Sequence, residues 1–246
     1  MTDSAPAISG PGFDVGFDDG PILPPDPDGL EVLHEREYRI RAYRMPADGE
    51  KDGEQRDRLL LRGAVRDQKP PHLYVLEDPD PITIHHMQVE LVVSFPNMVV
   101  SEATVLFETH PHTACVSIVD AYRGLVGLSI TRGFTHKVRE LFGGPRGCTH
   151  TTALLLAMAP VAVQCIWSMT ASDARRSGES MRFGGQRSPV ARERSWAASL
   201  NSCHVWDEDG EFVTALRAGE DIVLPIPMRR RFERLGLDPV AGDVNR

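Results

Sequence analysis

A turn of eight residues, Gly143-Gly144-Pro145-Arg146-Gly147-Cys148-Thr149-His150, runs directly into an apolar stretch from Thr151 to Met169. No other feature restricts the fold as much. A helix that apolar must be covered along most of its length, so the rest of the chain has to supply a sheet or a second helical layer. Pro160 and Gln164 interrupt the stretch, and the apolar part between 153 and 167 is too short to span a bilayer. The expectation is a buried helix from Thr149 to about Met169, bent at Pro160. The glycine-rich turn places Cys148 and His150 where that helix begins. A helix N-terminus carries unpaired N–H groups and a partial positive charge, a setting that suits a nucleophilic thiol or a metal ligand.

The segment before this turn has a different period. Tyr38 to Arg44 alternates apolar and basic residues, as a half-buried strand does. Arg58 to Asp67 reads as a second strand, with Leu59, Leu61 and Ala64-Val65 as its apolar positions. His85 to Phe95 and Met98 to Glu108 are two strong strand segments joined by Pro96-Asn97. Gln88, Glu90 and Ser94 alternate with Val89, Leu91 and Val93, the pattern of a sheet with one wet face, and the pair predicts a hairpin. Past Thr109 the spacing turns helical, over Cys115 to Leu125 and over Phe134 to Phe142, the latter ended by Gly143-Gly144. A strand is expected again around Phe212 to Leu216. Strands followed by helices give an α+β fold: an antiparallel sheet containing a β-hairpin, then a helical layer.

Composition sets the outer limits. Residues 1–30 hold six aspartates and no lysine or arginine, and read as a disordered acidic tail. A single domain is expected over 33–217 and a basic extension, with Arg229-Arg230-Arg231, over 218–246. Arginines recur between 175 and 194, as a solvated face or as a lid that recruits an anion. A net charge of −8 and a pI near 5.6 argue against general nucleic-acid binding. No secretory signal or membrane span is apparent, so a cytoplasmic location is expected, with the four cysteines as free thiols or ligands.

Cysteine and histidine crowd together at His85-His86, at His110-Pro111-His112 before Cys115, at Cys148-Thr149-His150 and at Cys203-His204. Thiolates and imidazoles suit zinc or iron. Cys115, Cys148, His150 and Cys203 are therefore the candidate metal ligands, and Cys148, His150 and His85 the candidate catalytic groups. Cys165, set among apolar residues, reads as a core thiol, and His86, His112 and His136 as ordinary surface or edge positions. No phosphate loop, nucleophile elbow or dinucleotide fingerprint is present, so no nucleotide cofactor is expected.

Several landmarks resemble the bacterial domain-of-unknown-function family 2889. They are Leu33-His34-Glu35-Arg36 with Tyr38-Arg39-Ile40, Ile84-His85-His86-Met87, Leu125-Val126-Gly127, Arg146-Gly147-Cys148-Thr149-His150 and Ser202-Cys203-His204. The resemblance runs from about Leu33 to Leu216 and suggests the degradation of aromatic, including lignin-derived, compounds. The order of hairpin, cysteine-bearing turn, helix and cysteine-initiated helix is more distantly similar to iron–sulfur scaffold proteins of the NifU/IscU type. That similarity implies a NifU/IscU-like core with extra strands. In it Cys115 and Cys148 take ligand positions, with Cys203 or His85 completing the set.

The expectation is thus a catabolic enzyme for a small aromatic substrate, a lyase that cleaves a C–C or C–O bond at a Cys/His metal or acid–base site. A homo-oligomer is compatible with the sequence. Two rivals remain: a metal or iron–sulfur carrier, and a noncatalytic module that holds an acidic partner through the arginine-rich 175–194 segment.

Overall fold

A computed structural model describes residues 20–45, 57–177, 193, 196–220 and 224–237. The chain divides into two units, one ending at Leu33 and one beginning at His34. Residues 20–33 are exposed throughout and hold neither strand nor helix. Most of the acidic tail expected over 1–30, and most of the arginine-rich 175–194 segment, lie outside the described residues.

The second unit opens with a four-stranded antiparallel sheet in the order β1-β2-β3-β4. The strands are β1 (Glu35–Met45), β2 (Arg58–Lys69), β3 (Ile82–Ser94) and β4 (Val99–Thr109). The expected hairpin is β3 and β4, and the α+β class holds. Alternation decides which face is buried. On β2 the residues Leu59, Leu61 and Val65 point inward, and on β3 Met87, Val89, Leu91 and Val93 do so, all of them at most 2% exposed.

After β4 the chain winds as a 3₁₀ segment over Thr113–Leu125, then forms α1 (Phe134–Phe142), a short turn, and α2 (Thr149–Ser177). The first of these is tighter than the α-helix expected there. Its three-residue repeat brings Val119, Tyr122 and Leu125 to one side, with Tyr122 and Leu125 buried. Helix α2 lies across the buried face of the sheet against β1, β2 and β3. Leu154, Leu155, Met158 and Ala162 are fully buried there. The approach is close at Gly63, where a Cβ would lie 2.7 Å from the Met158 sulfur. Side chains elsewhere keep a helix and a sheet farther apart, so this glycine sets how deep α2 sits.

α2 corrects two expectations about length. It continues to Ser177, with Pro160 inside it, and its length and apolar composition are those of a membrane-crossing segment. Its contacts with the sheet account for part of that apolar character, since 39% of its most apolar stretch is buried. The C-terminal part holds α3 (Glu211–Ala218) and α4 (Ile226–Leu235). The strand expected around Phe212 to Leu216 is therefore the helix α3. Val213 and Leu216 are three residues apart and share its buried side, and Gly219 ends it in a left-handed conformation (φ 109°). Both residues join Trp196 in a small hydrophobic cluster that Trp206 and Phe212 pack against, separate from the main core.

Candidate functional site

The inward alternation of β2 runs Leu59, Leu61, Gly63, Val65 and then Asp67. A carboxylate thus occupies a core position, 1% exposed, at the end of the sheet. Strand register places Arg36 of β1 beside it on one side and His85 of β3 on the other. His150, in the first turn of α2, closes over the same spot.

Asp67 is the centre of this group. Arg36 Nε and Nη2 donate to its Oδ1 and Oδ2 at 2.6 and 2.7 Å, a bidentate clamp. His150 Nε2 lies 3.0 Å from Oδ2 and His85 Nδ1 lies 3.3 Å from the same oxygen. His34 Nε2 stands 3.5 Å from Oδ1 at the exposed rim. Burial alone would raise the Asp67 pKa. The Arg36 clamp, with help from the imidazoles, outweighs it and holds the carboxyl at about 2. Asp67 is therefore an anion at any ordinary pH.

The two imidazoles stack with ring centres 3.8 Å apart. Burial lowers the pKa of each. The neighbouring His85 pushes His150 down further, while Asp67 opposes the shift in both. Both rings are accordingly neutral at pH 7, each able to accept one proton and donate another. His85 Nδ1 is buried and its approach to Asp67 is too misaligned to count as a hydrogen bond, so it has no hydrogen-bond partner.

Cys148 adjoins this group from the turn. Its Sγ lies 3.7 Å from His150 Nδ1, on the opposite side of the ring from Asp67. Its backbone N–H donates to Tyr122 Oη at 2.8 Å, and its carbonyl accepts from Thr152 N–H at 2.9 Å, the first bond of α2. Gly147 makes this turn possible. A Cβ there would come within 2.4 Å of the Phe142 carbonyl oxygen, so only glycine lets the chain pass so close to the end of α1.

Three of the expected site residues, His85, His150 and Cys148, thus come together. Cys115 and Cys203 do not join them. Cys115 packs against the core at the start of the 3₁₀ segment, and Cys203 is exposed ahead of a short turn. Among the described residues neither belongs to a cluster of three potential metal-binding groups, whereas Asp67, His85 and His150 form one that could hold a metal ion. Cys165 is half-buried against the core, and burial pushes its thiol pKa up, as suits a structural role. Sequence reasoning missed Asp67 and Arg36. The available signal was a charged residue continuing the inward alternation of β2.

The other face of the sheet carries two open depressions of about 230 and 250 Å³, lined by residues that include Arg39, Arg62, Arg66 and His86. Arg66 is paired there with Glu37 and Arg62 with Glu90. These depressions lie across the sheet from Asp67 and belong to its solvated side.

An α+β scaffold with a carboxylate and two imidazoles at the end of its sheet defines the class of this protein. Residues 34–164, more than half of the chain, match the family described as "Protein of unknown function (DUF2889)", and the chain belongs to that family. No curated protein and no solved structure matches it.

Proposed function

We propose that this protein is an enzyme, a lyase that cleaves a C–C or C–O bond of a small, hydroxyl-bearing aromatic compound by proton transfer at His85 and His150. One observation carries the reading: two stacked, partly exposed imidazoles face one buried carboxylate. One imidazole takes the proton of a substrate hydroxyl, and the resulting oxygen electron pair forms a C=O bond as the neighbouring C–C bond breaks. The imidazolium so formed gives that proton to the departing carbon, directly or by way of the other ring, and is neutral again. Asp67 stabilises the imidazolium formed on the way, and Arg36 keeps Asp67 in place. Aromatic and lignin-derived substrates come from the family resemblance of the sequence; the proton chemistry comes from the residues.

A panel of hydroxylated aromatic compounds, followed by mass spectrometry, tests this. His150→Gln and His85→Gln should each lower kcat on a turned-over compound by about 10²–10⁴-fold. Folded variants that keep wild-type turnover would remove these residues from the mechanism.

A second reading has its own support. The separations of 3.0 and 3.3 Å between Asp67 Oδ2 and the two histidine nitrogens are those of neighbouring ligands around one divalent ion with bonds near 2.1 Å. The unpartnered Nδ1 of His85 fits the same reading. Zinc or iron bound there would supply Lewis-acid polarisation of a substrate oxygen. Elemental analysis of anaerobically purified protein distinguishes the two readings. Near-stoichiometric metal that is lost in His85→Ala supports the metal centre, and metal-free protein that turns over substrate supports proton transfer alone.

A further inference from the structure

Neither reading uses Cys148, although its thiol lies beside His150. The arrangement around it is directional. Both Asp67 oxygens accept from Arg36, so the His150 nitrogen facing the carboxylate at 3.0 Å, Nε2, is placed to donate. The accepting nitrogen of the ring is then Nδ1, the atom 3.7 Å from Cys148 Sγ. A thiol, an imidazole and a carboxylate stand in one line, and the carboxylate is fixed in turn by the Arg36 clamp. The thiol is equally well placed from its own side. Tyr122 Oη anchors the Cys148 N–H, and α2 begins at the next residue, so the thiol is held at a helix start, where N–H groups are left without helical partners.

We propose that Cys148, His150 and Asp67 form a thiol–imidazole–carboxylate relay in which Cys148 is a nucleophile toward acyl carbon, that of small carboxylic esters or thioesters. The inference rests on His150 as a base, as in the proton-transfer reading, and is otherwise independent of it. In the first half-reaction His150 Nδ1 takes the thiol proton and the sulfur bonds to the acyl carbon. The carbon–oxygen bond of the ester breaks, and the departing alcohol receives that proton from His150. In the second half-reaction His150 takes a proton from water, the hydroxide adds to the acyl-sulfur carbon, and the carbon–sulfur bond breaks. The carboxylic acid leaves and the proton returns to sulfur. Water is the only co-reactant.

Cys203 serves as an internal control, because it is exposed whereas Cys148 is half-buried. On accessibility alone Cys203 should react first. Full-length protein is treated with limiting iodoacetamide or the smaller methyl methanethiosulfonate, and each cysteine is quantified by peptide mass spectrometry. Cys148 should be modified at least about ten-fold faster than Cys203, and His150→Gln should cancel that advantage while Cys203 is unaffected. With p-nitrophenyl acetate, wild type should release p-nitrophenol in a burst near one equivalent and carry the acetyl group on Cys148, and Cys148→Ser should do neither. Faster modification of Cys203 by both reagents, or a fast Cys148 that is never acylated, would overturn the proposal. Cys148→Ser that loses acylation but keeps proton-transfer turnover separates this inference from the lyase reading; His150→Gln removes both.

Discussion

Asp67 links the electrostatics of the site to the stability of the fold. Its pKa is lowered from 3.8 to about 2 in the folded state, so its contribution to stability is complete above the unfolded value and disappears as pH falls toward 2. The size is about 2 kcal/mol. His85 and His150 are also lowered, which means that the unfolded chain binds their protons first. Their contribution is complete above about pH 6.5, the ordinary histidine value, and is lost as pH falls through their lower folded values. Thermal melts as a function of pH should therefore show stability declining in two stages, one beginning near pH 6.5 and one below about pH 4. Asp67→Asn should abolish the lower stage and destabilise the protein at pH 7. It leaves Arg36 facing a neutral amide at a buried position, at a cost of about 2–3 kcal/mol once the partial exposure of Arg36 is allowed for.

Two substitutions at the level of elements separate packing from placement. Leu154 of α2 is fully buried, and Leu154→Ala should cost about 2–5 kcal/mol in chemical denaturation. The start of α2 is anchored independently by Tyr122 and by the turn, so the folded variant should keep its site intact. Gly147→Ala forces a methyl group against the backbone carbonyl of Phe142 and should cost about 1–3 kcal/mol. Relief of that clash displaces Cys148 and His150, so activity at the site should fall much further than the stability loss explains. Equal activity losses in the two folded variants would remove the distinction. At the other end of the same helix, Arg44 of β1 reaches Asp57 and also Ser172 and Asp173 of α2. It ties the far end of α2 to the sheet edge, away from the chemistry.

Across the whole molecule, the sheet and α2 enclose one main core, and the residues before His34 form a separate unit. Residues 20–33 are exposed, so a chain starting at His34 should match the full chain in melting temperature and in alkylation of Cys148. A lower melting temperature in the truncated chain would show that the first unit supports the second.

The strands, the hairpin, α1 and the start of α2 were legible because each depends on local spacing: period two for the sheet, three to four for the helices, glycine for the stops. Cys148 and His150 were legible for the same reason, since a helix start is a local event. Proximity along the chain failed as a guide elsewhere. Cys115 and Cys203 have histidines nearby in sequence, yet among the described residues they belong to no cluster of three potential metal-binding groups. The α3 region has few residues and both kinds of spacing, and packing against Trp196 decided it in favour of helix. Asp67 and Arg36 are in sequence only a polar residue at the end of each of two strands. Strand register aligned them with His85, and the crossing of α2 over the sheet brought in His150. From its sequence alone this protein has an apolar helix, a sheet to cover it and a thiol and imidazole at the helix start. Only the tertiary structure supplied the buried carboxylate between two imidazoles, because a charge becomes a site when distant segments desolvate it together.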